Sequence, residues 1–181
     1  ADIDRLMKTF AEFSRRWGGL FVEMNAELEL AGEPDVYSDQ TLQDQQKIRE
    51  ALSIQSKRKQ VIEQYRSKAH EEVRWLTNEF AAMKFSEATA KGMLKGADRS
   101  VETVRVQADQ LLRLRAEAET AQEAFLGFML ETFSDYRLAN SKISFSKQAD
   151  VEKYRALGKA ITDSSKVLEE FQTEMLKSVE T

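Results

Sequence analysis

The chain has 181 residues, 41% hydrophobic and 32% charged, enough for one domain with a substantial core. It has no cysteine and one histidine, which excludes disulfides, thiolate catalysis and cysteine-ligated zinc or iron–sulfur centres. Its net charge of −4 argues against nucleic acid as a ligand.

From Asp2 to about Leu30, Ile3, Leu6, Phe10, Phe13, Trp17, Leu20 and Met24 recur at alternating intervals of three and four, which aligns one side of a helix. Gly18 and Gly19 interrupt it at about 1 kcal/mol each relative to alanine, and predict a kink or, better, the close approach of a neighbouring helix. The run Ala31-Gly32-Glu33-Pro34-Asp35 ends the helix, with glycine past the last turn and the only proline soon after.

A second helix starts near Ser38 to Thr41, where Ser38, Asp39 and Thr41 compete as N-caps, and reaches about Phe85. Neither glycine nor proline occurs from Asp35 to Lys91, so it reads as one very long helix or two joined end to end. The polar run Gln55 to Gln60 breaks its apolar spacing and predicts a bend or an overhang there. Lys84 to Ser100 reads as a connector in which Ser86 caps a short turn and Gly92 and Gly96 break the pattern.

A third helix is expected from about Ser100 to Ala139. Its stretch Ala124 to Leu130 is apolar all round, the mark of burial in the chain's own core or of a groove for an apolar ligand or partner helix. At seven residues that run is far short of the roughly 20 needed to span a bilayer. Asn140 to Ser146 reads as the last connector, and a fourth helix carries Tyr154, Leu157, Ile161, Leu168, Phe171 and Met175 to about Val179.

Four amphipathic helices with modest connectors predict an all-α fold: one domain over 1–181, an antiparallel up-down-up-down four-helix bundle with long, coiled-coil-like helices. That topology places Trp17, Phe21 and Met24 at one end with Phe125, Phe128, Phe133 and Tyr136. Phe10 and Phe13 fall at the other with Trp75, Phe80 and Phe171. The charge fits it too: residues 41–99 carry a net +4, against −5 in 1–40 and −3 in 100–140.

The residues favour no enzyme, no metal and no cofactor. A di-iron bundle needs two Glu-x-x-His motifs, whereas His70 stands alone with Ser67 three positions before it, and reads as a surface or core-flank residue. Gly92 and Gly96 lack the lysine-serine ending of a phosphate loop, and no strand is expected. Adjacent acids such as Glu71 and Glu72, or Glu169 and Glu170, point to different parts of a helix surface and read as solvated charges. The one basic concentration, Lys57, Arg58 and Lys59, is a candidate patch for anionic lipid or an acidic partner, or a solvated face paired with acidic neighbouring helices.

The residues Asn140-Ser141-Lys142-Ile143-Ser144-Phe145-Ser146 and then Ala149-Asp150-Val151-Glu152-Lys153-Tyr154-Arg155-Ala156-Leu157 resemble the last connector and helix of small bacterial exported helical-bundle lipoproteins of unknown function. The resemblance implies a periplasmic or cell-envelope protein, touching a membrane only through an N-terminal lipid anchor missing from this sequence, and binding or scaffolding rather than catalysing. A protein partner or a homo-oligomer fits such a role. Two other readings remain: a ligand-binding sensor domain of a transmembrane receptor, and a cytosolic dimeric coiled-coil or membrane-curving module.

Overall fold

The computed structural model describes residues 2–83 and 88–179. Helix α1, Asp2–Ala31, runs unbroken through Gly18 and Gly19. It stops where Gly32 adopts φ 85° and its N–H donates to the Glu29 carbonyl at 3.0 Å, the left-handed exit that glycine makes without a Cβ penalty. A short helix α2, Asp39–Leu42, follows, capped by the Ser38 hydroxyl, which accepts from the Thr41 N–H at 3.1 Å. The Asp35 carboxylate accepts from both hydroxyls and from the Ser38 N–H, and the hydrogen bond from the Ser38 hydroxyl, above all, holds its pKa below the usual carboxylate value.

Helix α3, Gln45–Ala81, begins where Asp44 accepts the Gln46 N–H at 2.8 Å, and continues without a break through Gln55 to Gln60. The polar run does not interrupt it because Gln55 turns inward to a buried partner, while Lys57 and Gln60 face water. Helix α4, Ala88–Glu131, corrects the expected connector: Gly92 and Gly96 lie inside it, and the proposed Ser86 cap lies outside the described residues. A Cβ at Gly96 would meet no atom within 4 Å, so Gly96→Ala is expected to stabilise the protein by about 0.5–1 kcal/mol. A urea midpoint that is unchanged or lower would contradict this.

The third helix ends at Glu131, eight residues before the expected Ala139, and a β-hairpin takes the place of its last turns. Strands β1, Tyr136–Ala139, and β2, Lys142–Phe145, pair antiparallel with Ala139 opposite Lys142. Asn140 and Ser141 have φ of 51° and 57°, the doubly positive pair of the two-residue turn whose twist matches the strands it joins. The Ser141 hydroxyl donates to Asp39 at 2.7 Å, fastening the turn to α2. The last helix, α5, is Gln148–Val179.

The chain divides into two compact units, Ala1–Glu27 with Ile62–Leu112, and Leu28–Val61 with Arg113–Thr181; each of α1, α3 and α4 contributes to both. In the first unit Leu6 and Phe13 of α1 pack with Leu76 and Phe80 of α3 and Val101 of α4. Arg5–Glu79 at 3.8 Å, Arg16–Glu72 at 2.7 Å and Tyr65–Glu27 at 2.7 Å descend α3 as they climb α1, so these two helices run antiparallel. In the second unit Ile48 and Ala51 of α3, Phe125, Leu126, Phe128 and Met129 of α4, Tyr136 of β1 and Ile161 of α5 share one core. Phe125, Leu126, Phe128 and Met129 of the apolar run are thus buried in the chain's own interior, while Ala124 at its start is exposed.

The aromatic assignment needs correction: Trp17 belongs with Phe13 and Trp75 in the first unit and stacks on Phe13 at 5.3 Å, Phe21 lies edge-on to Trp17 at 5.6 Å and falls with Met24 in that same unit, and Phe171 falls in the second. The expected close approach at Gly18 and Gly19 is likewise not found among the described residues, since a Cβ at either would meet nothing within 4 Å.

Candidate functional site

Two polar constellations stand out, one in each unit. In the second unit, Gln55 and Arg58 lie three positions apart on α3 and so share a face. Both reach Glu119 of α4: the Gln55 amide donates to the Glu119 carbonyl at 2.7 Å and to its carboxylate at 2.5 Å, and Arg58 Nε donates to the other carboxylate oxygen at 3.0 Å. Gln55 and Glu119 are buried, and Gln55 Oε1 has no donor among the described residues. Arg58 Nη1 also donates to the carbonyls of Leu28 at 3.2 Å and Gly32 at 2.9 Å, satisfying acceptors that the end of α1 leaves open. Burial, and then the nearby Arg58 charge, lower the pKa of Arg115 beside this group, with Glu119 acting the other way.

This geometry divides the basic run. Arg58 is a clamp between helices, Lys59 is paired with Glu123 at 2.5 Å, and Lys57 is exposed to water. The three side chains therefore meet different surroundings, as neighbours on a helix do.

In the first unit a cleft of about 410 Å³ opens between α1 and α3, lined by Arg15, Arg16, Glu23, Lys68, Glu71 and Glu72 over Gly19 and Leu20. Its base is the forked pair in which Arg16 Nε and Nη2 each approach a Glu72 oxygen at 2.7 Å, and the Arg16 guanidinium lies 4.3 Å from the centre of the Trp75 ring. The hydrogen bond to Glu72 comes first among the causes that raise the pKa of Arg16. Lys68 sits 4.0 Å above the Tyr65 ring. The cleft thus presents charges of both signs to a small polar solute. Glu72 departs from the expected solvated acid, whereas Glu71 beside it is exposed.

His70 is exposed and its Nε2 lies 2.7 Å from Asp109 Oδ1, which places it on the surface as expected. No helix is long and apolar enough to cross a membrane, and no group of three or more histidine, aspartate or glutamate side chains is placed to hold a metal ion, both among the described residues.

Two buried phenols give a pH test of this packing. Burial first, and then its hydrogen bond to Glu27, push Tyr65 up to about 12; burial does the same for Tyr136, whose hydroxyl donates to the Leu42 carbonyl. The folded chain therefore holds the neutral phenols more tightly than the unfolded chain, where they titrate near about 10. That stability is complete below about pH 10 and is lost as pH rises toward about 12. Ultraviolet titration should show these two tyrosinates appearing together with loss of helix; ionisation of all four tyrosines near about pH 10 in a still-folded protein would contradict it.

The layer around Glu119 was within reach of the sequence. Gln55 falls in phase with Ile48, Leu52 and Ile62, and a polar residue on an apolar stripe signals a buried polar contact as well as a break. No sequence signal named Glu119 as its partner or Arg16 with Glu72, because those pairs are made by packing. No family model matches this chain, and it matches no curated protein and no solved structure.

Proposed function

We propose that this chain is a non-enzymatic helical module of the bacterial cell envelope that acts by binding or scaffolding, with α5 as fourth helix of an antiparallel up-down-up-down bundle. The observation that carries the reading is the use made of the inward-turned ionisable groups. Glu119 is taken up by Arg58 and Gln55, and Glu72 by Arg16, so side chains that acid–base chemistry would need free are engaged in joining helices. The envelope location is supported by the likeness of Asn140 to Leu157 to exported lipoproteins.

The test is fractionation of the source cells with an antiserum, together with the coding sequence upstream of Ala1. Recovery with the envelope and an export leader ending in a lipidated cysteine are expected. A start codon directly before Ala1 with recovery in the cytosol would overturn the reading.

The cleft lined by Arg15, Glu23, Lys68 and Glu71 favours one second reading, a ligand-binding sensor domain of a transmembrane receptor. Membrane-spanning segments on both sides of this stretch in the gene would decide for it.

A further inference from the structure

We propose that the outer face of α1 is a self-association surface, on which a second copy of this chain lies antiparallel. The surface is a row of uncharged, exposed residues: Met7, Ala11, Ser14, Gly18, Val22 and Ala26 follow one another at intervals of three or four and so form one stripe, opposite the side that buries Leu6 and Phe13. Met7 is 57% exposed and Val22 70%, large apolar side chains turned to water on a helix that already has a buried face.

Gly18 is the second observation. In an exposed helix interior glycine is a poorer helix former than alanine, and a Cβ there would touch nothing within 4 Å among the described residues, so their packing gains nothing from its lack. A helix lying across Ala11, Ser14 and Gly18 from outside does gain, because the backbones can approach closely there while the larger Met7 and Val22 pack to either side.

Charge selects the occupant and its direction. In residues 2–16, Arg5 and Arg16 are taken up by Glu79 and Glu72 of α3, so the charges that count are those along the row; residues 17–33 carry four acidic side chains and none basic. Asp4, Lys8 and Arg15 border the first half of the row, net +1, each three positions from a member of it, and Glu23 and Glu29 border the second half in the same way, net −2. An antiparallel copy sets each basic half against an acidic one, whereas a parallel copy sets like against like. The pairing is isologous, as a closed two-fold dimer requires. It stands independently of the envelope location proposed above.

The experiment is sedimentation equilibrium of the whole chain over a range of concentrations, at low and high salt. A dimer weakened by salt is expected, with Val22→Arg, which sets a cation against the partner's Lys8 and Arg15, raising its dissociation constant by about 100-fold or more, while circular dichroism, and the thermal midpoint at concentrations where both proteins are monomers, stay unchanged. Because the chain has no cysteine, direction is read from Met7→Cys and Ala26→Cys proteins, which should cross-link faster when mixed than either does alone. A monomer at every concentration overturns the proposal, including one that binds lipid vesicles through this face instead. So does a dimer indifferent to Val22→Arg, or Met7→Cys cross-linking best to itself.

Discussion

Glu119→Ala is expected to destabilise the protein by about 3–5 kcal/mol, a large part of the total stability of a domain of this size. The carboxylate is buried and accepts from Gln55 and Arg58, so its removal takes one of two acceptors from a buried amide, which keeps the residue 119 carbonyl, and strands a largely buried guanidinium without its acid. Arg115 stands close enough to Arg58 for its pKa to be lowered by it, so two cations lose the acid between them. Arg58 keeps its bonds to the Leu28 and Gly32 carbonyls, which limits the loss to the α3–α4 side of the layer. Replacing Gln55, Arg58 and Glu119 together by apolar residues of similar size should cost less than the single change, since the Arg58 charge leaves with its acid, although Arg115 stays. Urea denaturation measures both. A loss below about 1 kcal/mol for Glu119→Ala would mean the layer is hydrated and contributes little.

Phe125→Ala is expected to cost about 3–5 kcal/mol, and Phe125→Leu about a third of that. The ring is fully buried and lies 5.3 Å from Tyr37 and 5.6 Å from Tyr154, centre to centre, so its removal opens a cavity and breaks two ring contacts. Tyr154 in turn lies 5.4 Å from Phe145 of β2, and Phe145 lies 5.7 Å from both Phe128 and Tyr136, so the hairpin and α5 are tied to α4 through one chain of rings. The near-ultraviolet circular-dichroism signal of the tyrosines should therefore collapse at lower urea in Phe125→Ala than in the unaltered protein. Equal stability of the two proteins would place this core elsewhere.

The candidate site was legible only in part. The basic run Lys57 to Lys59 was visible as a concentration of charge, yet its residues meet a clamp, an ion pair and open water, because 100° per residue on a helix separates what the sequence keeps adjacent. The mixed-charge cleft could not be read from either helix, since Arg16 of α1 meets Glu72 of α3 only through their antiparallel pairing. Likewise the glycines of α1 predicted a kink or an approaching helix, whereas α1 runs unbroken and nothing among the described residues lies within 4 Å of where a Cβ would stand.

Taken alone, the order of residues determined that the protein is helical, where α1 ends and that Ser38 opens the next helix, because apolar periodicity and capping act over three or four neighbours. For the run around Phe125 it offered the core or a groove, since an all-apolar helix turn needs cover, and the packed chain has Phe125, Leu126, Phe128 and Met129 in the core. Tertiary structure decided the rest. Residues 136–145 became a hairpin although no glycine marks the turn: Tyr136 and Phe145 gain a shared aromatic core, and Ser141 gains a bond to Asp39, that a continued helix would have denied them. Gly92 and Gly96 stayed helical because Leu94 and Ala97 between and beside them pack against the core of the first unit, and that burial outweighs a propensity of about 1 kcal/mol per glycine.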